Sequence, residues 1–255
     1  MGRVVFIGAG PGAADLITVR GAQRLAAAEV VLFDALTDPA LRVYAPKARW
    51  IDVGKRGYGE AAAQSAIDAL LVGLAQEHAV VVRLKGGDPS VFGRLEEELQ
   101  ALHAAGIACE VVPGVTAALA AAAETRRPLT RRGTGRSVTL ATAMTREGAL
   151  QVGTKGRHAD TEVFYMAGRQ LAALAQRLHK AGWAADTPVS VVSRAGWPDA
   201  LASAHSIATL GQATVLHSGR PTVVTVGAGA AAVSRTRSES PLLEAGQEPE
   251  ETLSA

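Results

Sequence analysis

Residues 80–94, VVVRLKGGDPSVFGR, decide the fold of this 255-residue chain. The β-branched run Val80, Val81, Val82 predicts a buried strand, because such runs suit the interior of a parallel sheet covered on both faces. The run breaks at Gly86-Gly87-Asp88-Pro89. Paired glycines allow positive φ and let a ligand come close to the main chain. Asp88 offers an acceptor, and Pro89 stiffens the exit. Gly93-Arg94 then leads into Leu95-Glu96-Glu97-Glu98-Leu99, a helix start whose acidic first turn suits the macrodipole. Strand, glycine turn and helix form the unit with which open α/β sheets hold ligands. A tight βα turn without a ligand is the plainer alternative.

Toward the N-terminus the same grammar repeats. Residues 3–7 predict a strand running into Gly8-Ala9-Gly10-Pro11-Gly12, residues 16–28 a helix, and residues 29–33 a strand that ends at Asp34. A glycine turn with an acid closing the next strand resembles a dinucleotide fingerprint. Pro11 argues against it by removing a backbone donor that a pyrophosphate would use. Residues 39–46 predict a short helix and residues 49–53 a strand closing at Gly54-Lys55-Arg56-Gly57. Residues 61–76 predict an amphipathic helix with Ile67, Leu70, Leu71 and Leu74 on one stripe. Beyond the opening stretch come a helix over 95–105 stopped by Gly106 and a strand over Ala108–Val112. This alternation predicts a parallel α/β domain over 1–114.

An alanine-rich helix over 115–124 follows, and then a loop dense in arginine: Arg126, Arg127, Arg131, Arg132 and Arg136. Strands are expected over 137–143, 161–166, 188–193 and 221–226, a helix over 171–181, and a short extended piece over 205–210. Residues 115–233 therefore predict a second α/β domain, more antiparallel in character. Residues 234–255, polar and aperiodic, predict a disordered tail.

Composition narrows the function. The chain is 48% hydrophobic with a formal net charge of +2, so no global charge argues for nucleic acid or a membrane surface. The arginine loop lacks the interleaved aromatics of a nucleic-acid site. One cysteine, Cys109, excludes an internal disulfide and a cysteine-built metal site, and its apolar surroundings predict a core thiol. No apolar run approaches the ~20 residues of a membrane span, so a cytoplasmic location is expected.

In order and spacing, Gly8–Gly12, Phe33-Asp34, Val53-Gly54-Lys55, residues 83–94, residues 112–116, Pro128-Leu129-Thr130-Arg131-Arg132 and Tyr165-Met166-Ala167-Gly168 resemble the tetrapyrrole methylases, over residues 1 to about 230. Val-Gly-Lys and Arg-Leu-Lys-Gly-Gly-Asp-Pro point to the branch that acts on uroporphyrinogen III. The resemblance implies two α/β domains with the active site in the cleft between them, in a homodimer. It implies S-adenosyl-L-methionine as methyl donor, S-adenosyl-L-homocysteine as product, and a cyclic tetrapyrrole with eight carboxylates as substrate. That substrate would be methylated twice on ring carbons to precorrin-2, for siroheme or cobalamin, with no metal.

On the cofactor side the resemblance maps Pro11, Gly86, Gly87, Asp88, Val91, Thr116, Ala117, Met166 and Ala195. For acid–base work it maps Asp34 as base and Lys55 as acid. Arg94 and Glu97, three residues apart on one helical face, either handle the substrate together or form a local salt bridge. Arg132, with Arg131, is placed against substrate carboxylates, which guanidinium forks match. The chain departs from the family pattern at Ser90, Leu95, Glu96, Glu124, Arg131, Met144 and the Arg126-Arg127 pair, mostly on the substrate side. A methylase of a later cobalamin precursor, a dinucleotide oxidoreductase and a non-catalytic binding protein remain as alternatives.

Overall fold

The computed structural model describes residues 2–54, 60–144 and 156–233. The expected tail and Lys55 lie outside them. The first sheet contains β1 (Arg3–Gly8), β2 (Val30–Phe33), β3 (Arg49–Asp52), β4 (Val80–Lys85) and β5 (Ala108–Val112), in the order β3-β2-β4-β1-β5. Every pairing is parallel. Parallel strands need both faces covered. One face packs Val4, Phe6, Val30, Leu32 and Val81 against α2 (Glu60–Glu77) and α3 (Leu95–Ala104). The other packs Val5, Ile7, Val31, Val82 and Leu84 against α1 (Val19–Ala26). The chain leaves β1 toward β2 but leaves β4 toward β5, so these adjacent strands form a topological switch point. Open α/β sheets bind ligands outside the strand ends at such a point.

The second sheet contains β6 (Val138–Thr142), β7 (Thr161–Tyr165), β8 (Pro188–Ser193), β9 (Leu201–Ser206) and β10 (Thr222–Gly227), in the order β6-β7-β10-β8-β9. Only β6 and β7 pair in parallel; the other pairings are antiparallel, as expected. One face carries α5 (Leu171–Lys180) through Leu171, Leu174 and Leu178. The other receives α4 (Ala117–Thr125), whose Ala118, Ala120 and Ala121 bring the helix close to Val163, Val192 and Val223. A short helix, α6 (Thr214–His217), completes the set.

Several local expectations need correction. The helix expected from residue 16 starts only at Val19, because Thr18 accepts the Gly21 N–H at 3.0 Å and caps it there. Leu70 lies at the margin of the α2 stripe and is exposed, whereas Leu71 and Leu74 are buried. The extended piece expected over 205–210 is the end of β9 followed by a 3-10 helix, Ile207–Ala213. Buried Ile207, Leu210 and Ala213 recur every three residues, the period of that helix. Cys109 is exposed, not in the core: β5 is the sheet edge, and Cys109 lines an open groove beside Leu99 and His103 of α3.

A polar chain crosses the second sheet. His217, fully buried, meets the Ser193 hydroxyl through Nδ1 at 2.5 Å and the Ser203 hydroxyl through Nε2 at 2.8 Å. Burial holds this imidazole below the ordinary histidine range, with His205 and Arg220 acting in the same direction. The unfolded chain therefore takes up a proton as pH falls through about 6.5 while the folded chain resists it, so folding loses stability as pH falls. The thermal midpoint should fall between pH 7 and pH 5, and His217→Gln should remove part of that slope. An unchanged slope in the variant would take His217 out of the pH response.

Candidate functional site

The switch point is built from backbone. Gly87 donates to the Gly10 carbonyl at 2.6 Å, and Gly10 donates back at 3.2 Å. Both glycines hold positive φ, +81° at Gly10 and +72° at Gly87. A Cβ on Gly114 would lie 2.4 Å from the Gly87 carbonyl oxygen and 2.7 Å from the Gly8 Cα, so no side chain fits between these turns. Above Gly87 the space is open, since its Cβ would meet only the Thr116 Cα at 3.8 Å. Asp88 clasps the turns: Oδ1 accepts the Ser90 N–H at 2.8 Å and Oδ2 the Gly114 N–H at 2.9 Å. Its carboxylate thus holds protein backbone first.

Asp34, at the end of β2, lies against the same turn. Its Oδ2 accepts the Gly86 N–H at 3.4 Å, and its Oδ1 accepts from the Leu36 N–H and the Thr37 hydroxyl. Behind it is a buried charge cluster that the sequence reading missed. Arg83 Nε donates to Glu98 Oε1 at 3.1 Å, and Lys85 Nζ donates to Glu98 Oε2 at 2.7 Å. Gln64 also donates to Oε1, at 3.4 Å, and Arg83 Nη1 stands 4.0 Å from Asp34 Oδ2. Burial lowers the Lys85 pKa from the ordinary lysine range and Arg83 adds to it, while Glu98 opposes both.

The second sheet closes the cleft. The Tyr165 and Thr116 hydroxyls are 2.8 Å apart, and the Tyr165 ring meets Phe92 with centroids 5.1 Å apart. Burial raises the Tyr165 pKa, and the Asp88 charge acts in the same direction, against the Thr116 hydrogen bond. Val91, Ala117 and Ala195 pack into the cluster around α4. Met166 follows β7 with φ +57° and is exposed. Pro11 accepts the Trp197 indole N–H at 3.0 Å, and Ala13 donates to the Gly196 carbonyl at 2.6 Å. Glu124 accepts the Gly196 N–H at 3.4 Å. Tyr165 stood in the quoted Tyr-Met-Ala-Gly run, and a buried phenol needs a partner. Trp197 gave no comparable signal.

Other expected residues lie farther away. Arg94 and Glu97 form an exposed ion pair at 2.7 Å at the start of α3, with Arg94 at φ +54°. Arg131 is engaged with the Ala231 and Ala232 carbonyls. Arg132 sits exposed on the turn between Arg131 and Gly135. The preceding Leu129 accepts from the Thr161 hydroxyl, so this turn is at the start of β7, the end opposite Tyr165. Five strand residues, roughly 14 Å, separate the two ends. Ser90 and Glu96 are exposed, Leu95 packs toward α2, and Met144 closes a turn with Thr142.

Comparisons with known proteins agree with this geometry. A model of the tetrapyrrole (corrin/porphyrin) methylases matches residues 3–213. The chain is 42% identical over 234 residues to the uroporphyrinogen-III C-methyltransferase of Synechocystis sp., spanning 89% of each. It is 45% identical over 197 residues to siroheme synthase 2 of Yersinia pestis, spanning 42% of that longer protein. It superposes on the Thermus thermophilus uroporphyrin-III C-methyl transferase complexed with S-adenosyl homocysteine, with TM-score 0.78 and 33% identity. That match spans 89% of this chain and 97% of the other. A cobalt precorrin-4 methyltransferase matches with TM-score 0.79 and 28% identity, spanning 90% and 96%.

The indole contact across the cleft has a measurable weight. Trp197→Phe keeps an aromatic ring, smaller than the indole, and removes the donor to Pro11, which should lower unfolding free energy by about 1 kcal/mol. Equilibrium denaturation measures it, and an unchanged value would show that the contact adds nothing net.

Proposed function

The chain belongs to the tetrapyrrole (corrin/porphyrin) methylases, and from that premise we propose that it is an S-adenosylmethionine-dependent methyltransferase that methylates uroporphyrinogen III twice on ring carbons. The product is precorrin-2, a precursor of siroheme- and cobalamin-type cofactors. What carries this reading is the 42% identity over nine-tenths of both chains to an enzyme of that name.

S-Adenosylmethionine would supply, when bound, a methyl group on a sulfonium: an electron-rich ring carbon bonds to the methyl carbon as its bond to sulfur breaks, and S-adenosylhomocysteine leaves as the neutral thioether, with no metal required. The open face of Gly87, beside Thr116, fits such a group. We assign Gly86, Gly87, Asp88, Val91, Thr116, Ala117, Met166 and Ala195 to its binding, with Pro11 fixing the neighbouring turn. Proximity and orientation then carry much of the rate. The Tyr165, Phe92 and Val91 contacts hold the second half of the cleft against the first. The Asp34 carboxylate is assigned to accept the proton lost from the methylated ring system, at Oδ1 or Oδ2. Arg94 exchanges Glu97 for a substrate carboxylate. Arg132 is assigned a second carboxylate, which its exposed guanidinium can grip in bidentate fashion. Lys55 keeps the role of acid as an expectation.

The units 1–114 and 115–233 are proposed as separate domains of a cytoplasmic homodimer. Among the described residues, no helix is long and apolar enough to cross a membrane. The likeness to the cobalt precorrin-4 enzyme favours one rival substrate, a later cobalamin precursor.

Incubation with S-adenosylmethionine and uroporphyrinogen III should give a product with two added methyl groups by mass spectrometry. Methylation of a later precursor alone would sink the first reading and establish the rival. Asp88→Ala should weaken S-adenosylhomocysteine binding by roughly 1.5–3 kcal/mol, or about one to two factors of ten, in calorimetric titration. Unchanged affinity would remove Asp88 from the site.

A further inference from the structure

Among the described residues, four charged side chains meet behind the cleft, and only Asp34 has a role so far. β4 places Arg83 and Lys85 two residues apart, so both face the helix side of the sheet, where like charges in a dry setting repel. Glu98 reaches them from the first turn of α3 with one carboxylate oxygen for each, and it is fully buried. Arg83, Lys85 and Glu98 sum to one positive charge. Asp34, 4.0 Å from Arg83, balances it. Among the described residues, the hydrogen bonds to Asp34 come from neutral groups, the Gly86 and Leu36 N–H groups and the Thr37 hydroxyl, and its charge also acts on Lys85. Asp52, which pairs with Phe33 across β3, directs its Oδ1 to the Gly54 N–H.

We propose that Glu98 is a positioning residue that acts on Asp34 through Arg83. Holding Arg83 by its inner nitrogen, Nε, leaves the outer Nη1 turned toward the Leu84 carbonyl, at 3.1 Å, and toward Asp34. Lys85 fixes the second oxygen of Glu98, so the carboxylate keeps one orientation. Buried ion pairs add little net stability compared with apolar packing. Stability alone therefore does not account for three charged side chains that share this face with Gln64 and the apolar core. The network also ties the helix that begins at Arg94 and Glu97 to the strand end that carries the Gly86 turn. A displacement of α3 is then felt at that strand end.

The proposal rests on the reading of Asp34 as proton acceptor, and a double-variant cycle on kcat tests both. Glu98→Gln should lower kcat roughly ten- to a hundredfold, the cost of a slightly misplaced reacting group. It should leave S-adenosylhomocysteine affinity within a factor of about three. Asp34→Asn combined with Glu98→Gln should lose no more activity than Asp34→Asn alone, because residues acting through one another are not additive. Multiplying losses would overturn the proposal and leave the methyltransferase reading standing. Full activity in Asp34→Asn would remove Asp34 from the chemistry, and the proposal with it. Where Glu98→Gln alone does not fold, Glu98→Gln with Lys85→Met keeps the cluster neutral and takes its place in the cycle.

Discussion

The close approach of glycine backbones after β1, β4 and β5 is the constraint on which the rest of the structure depends. Gly8, Gly87 and Gly114 stand so near one another that a methyl group on Gly114 would overlap the Gly87 carbonyl. The mutual hydrogen bonds of Gly10 and Gly87 then lock two turns at the switch point of the sheet. Asp88 adds the third turn through the Gly114 N–H. Everything that lines the cleft is placed relative to this knot. Asp34 leans on Gly86, Thr116 begins α4 two residues beyond Gly114, and Tyr165 reaches back to Thr116.

Much of this was legible in residues 80–94. A β-branched run before two glycines predicts a buried strand with a turn at its C-terminal end, because few other sequences satisfy both sterics and burial. The parallel first sheet followed from regular alternation. Its C-terminal partner was harder to read, because antiparallel strands joined by irregular turns leave a weaker periodic signal. β9 carries small and polar residues, LASAHS, with little alternation to mark it. Cys109 looked like a core residue because its neighbours are apolar. Strand order, which linear sequence does not carry, puts β5 at the edge.

The candidate site divides in the same way. Glycines and Asp88 could be proposed from the sequence because their chemistry is local: positive φ and turn acceptors leave marks within a few residues. The charge cluster escaped because its members, Arg83, Lys85 and Glu98, come from a strand and a helix and meet only when the two pack. Taken singly, a lysine before a glycine turn and a glutamate in an acidic first turn both look like solvated residues. In the arginine loop the sequence signal was one of composition, and packing adds what composition does not carry: Arg131 meets the carbonyls of residues 231 and 232.

Across the cleft, the Ala13 amide meets the Gly196 carbonyl with no side chain involved. Such a joint is insulated from sequence drift at position 13, where almost any amino acid carries the same donor; at 196 the φ of +80° and the nearby Pro11 ring hold the position to glycine. Proline at 13 is the one replacement that deletes the donor outright. Two lineages could therefore diverge widely in their substrate-facing side chains while their two halves stay joined here in the same way. Variation in what the cleft accepts is thereby decoupled from this backbone joint.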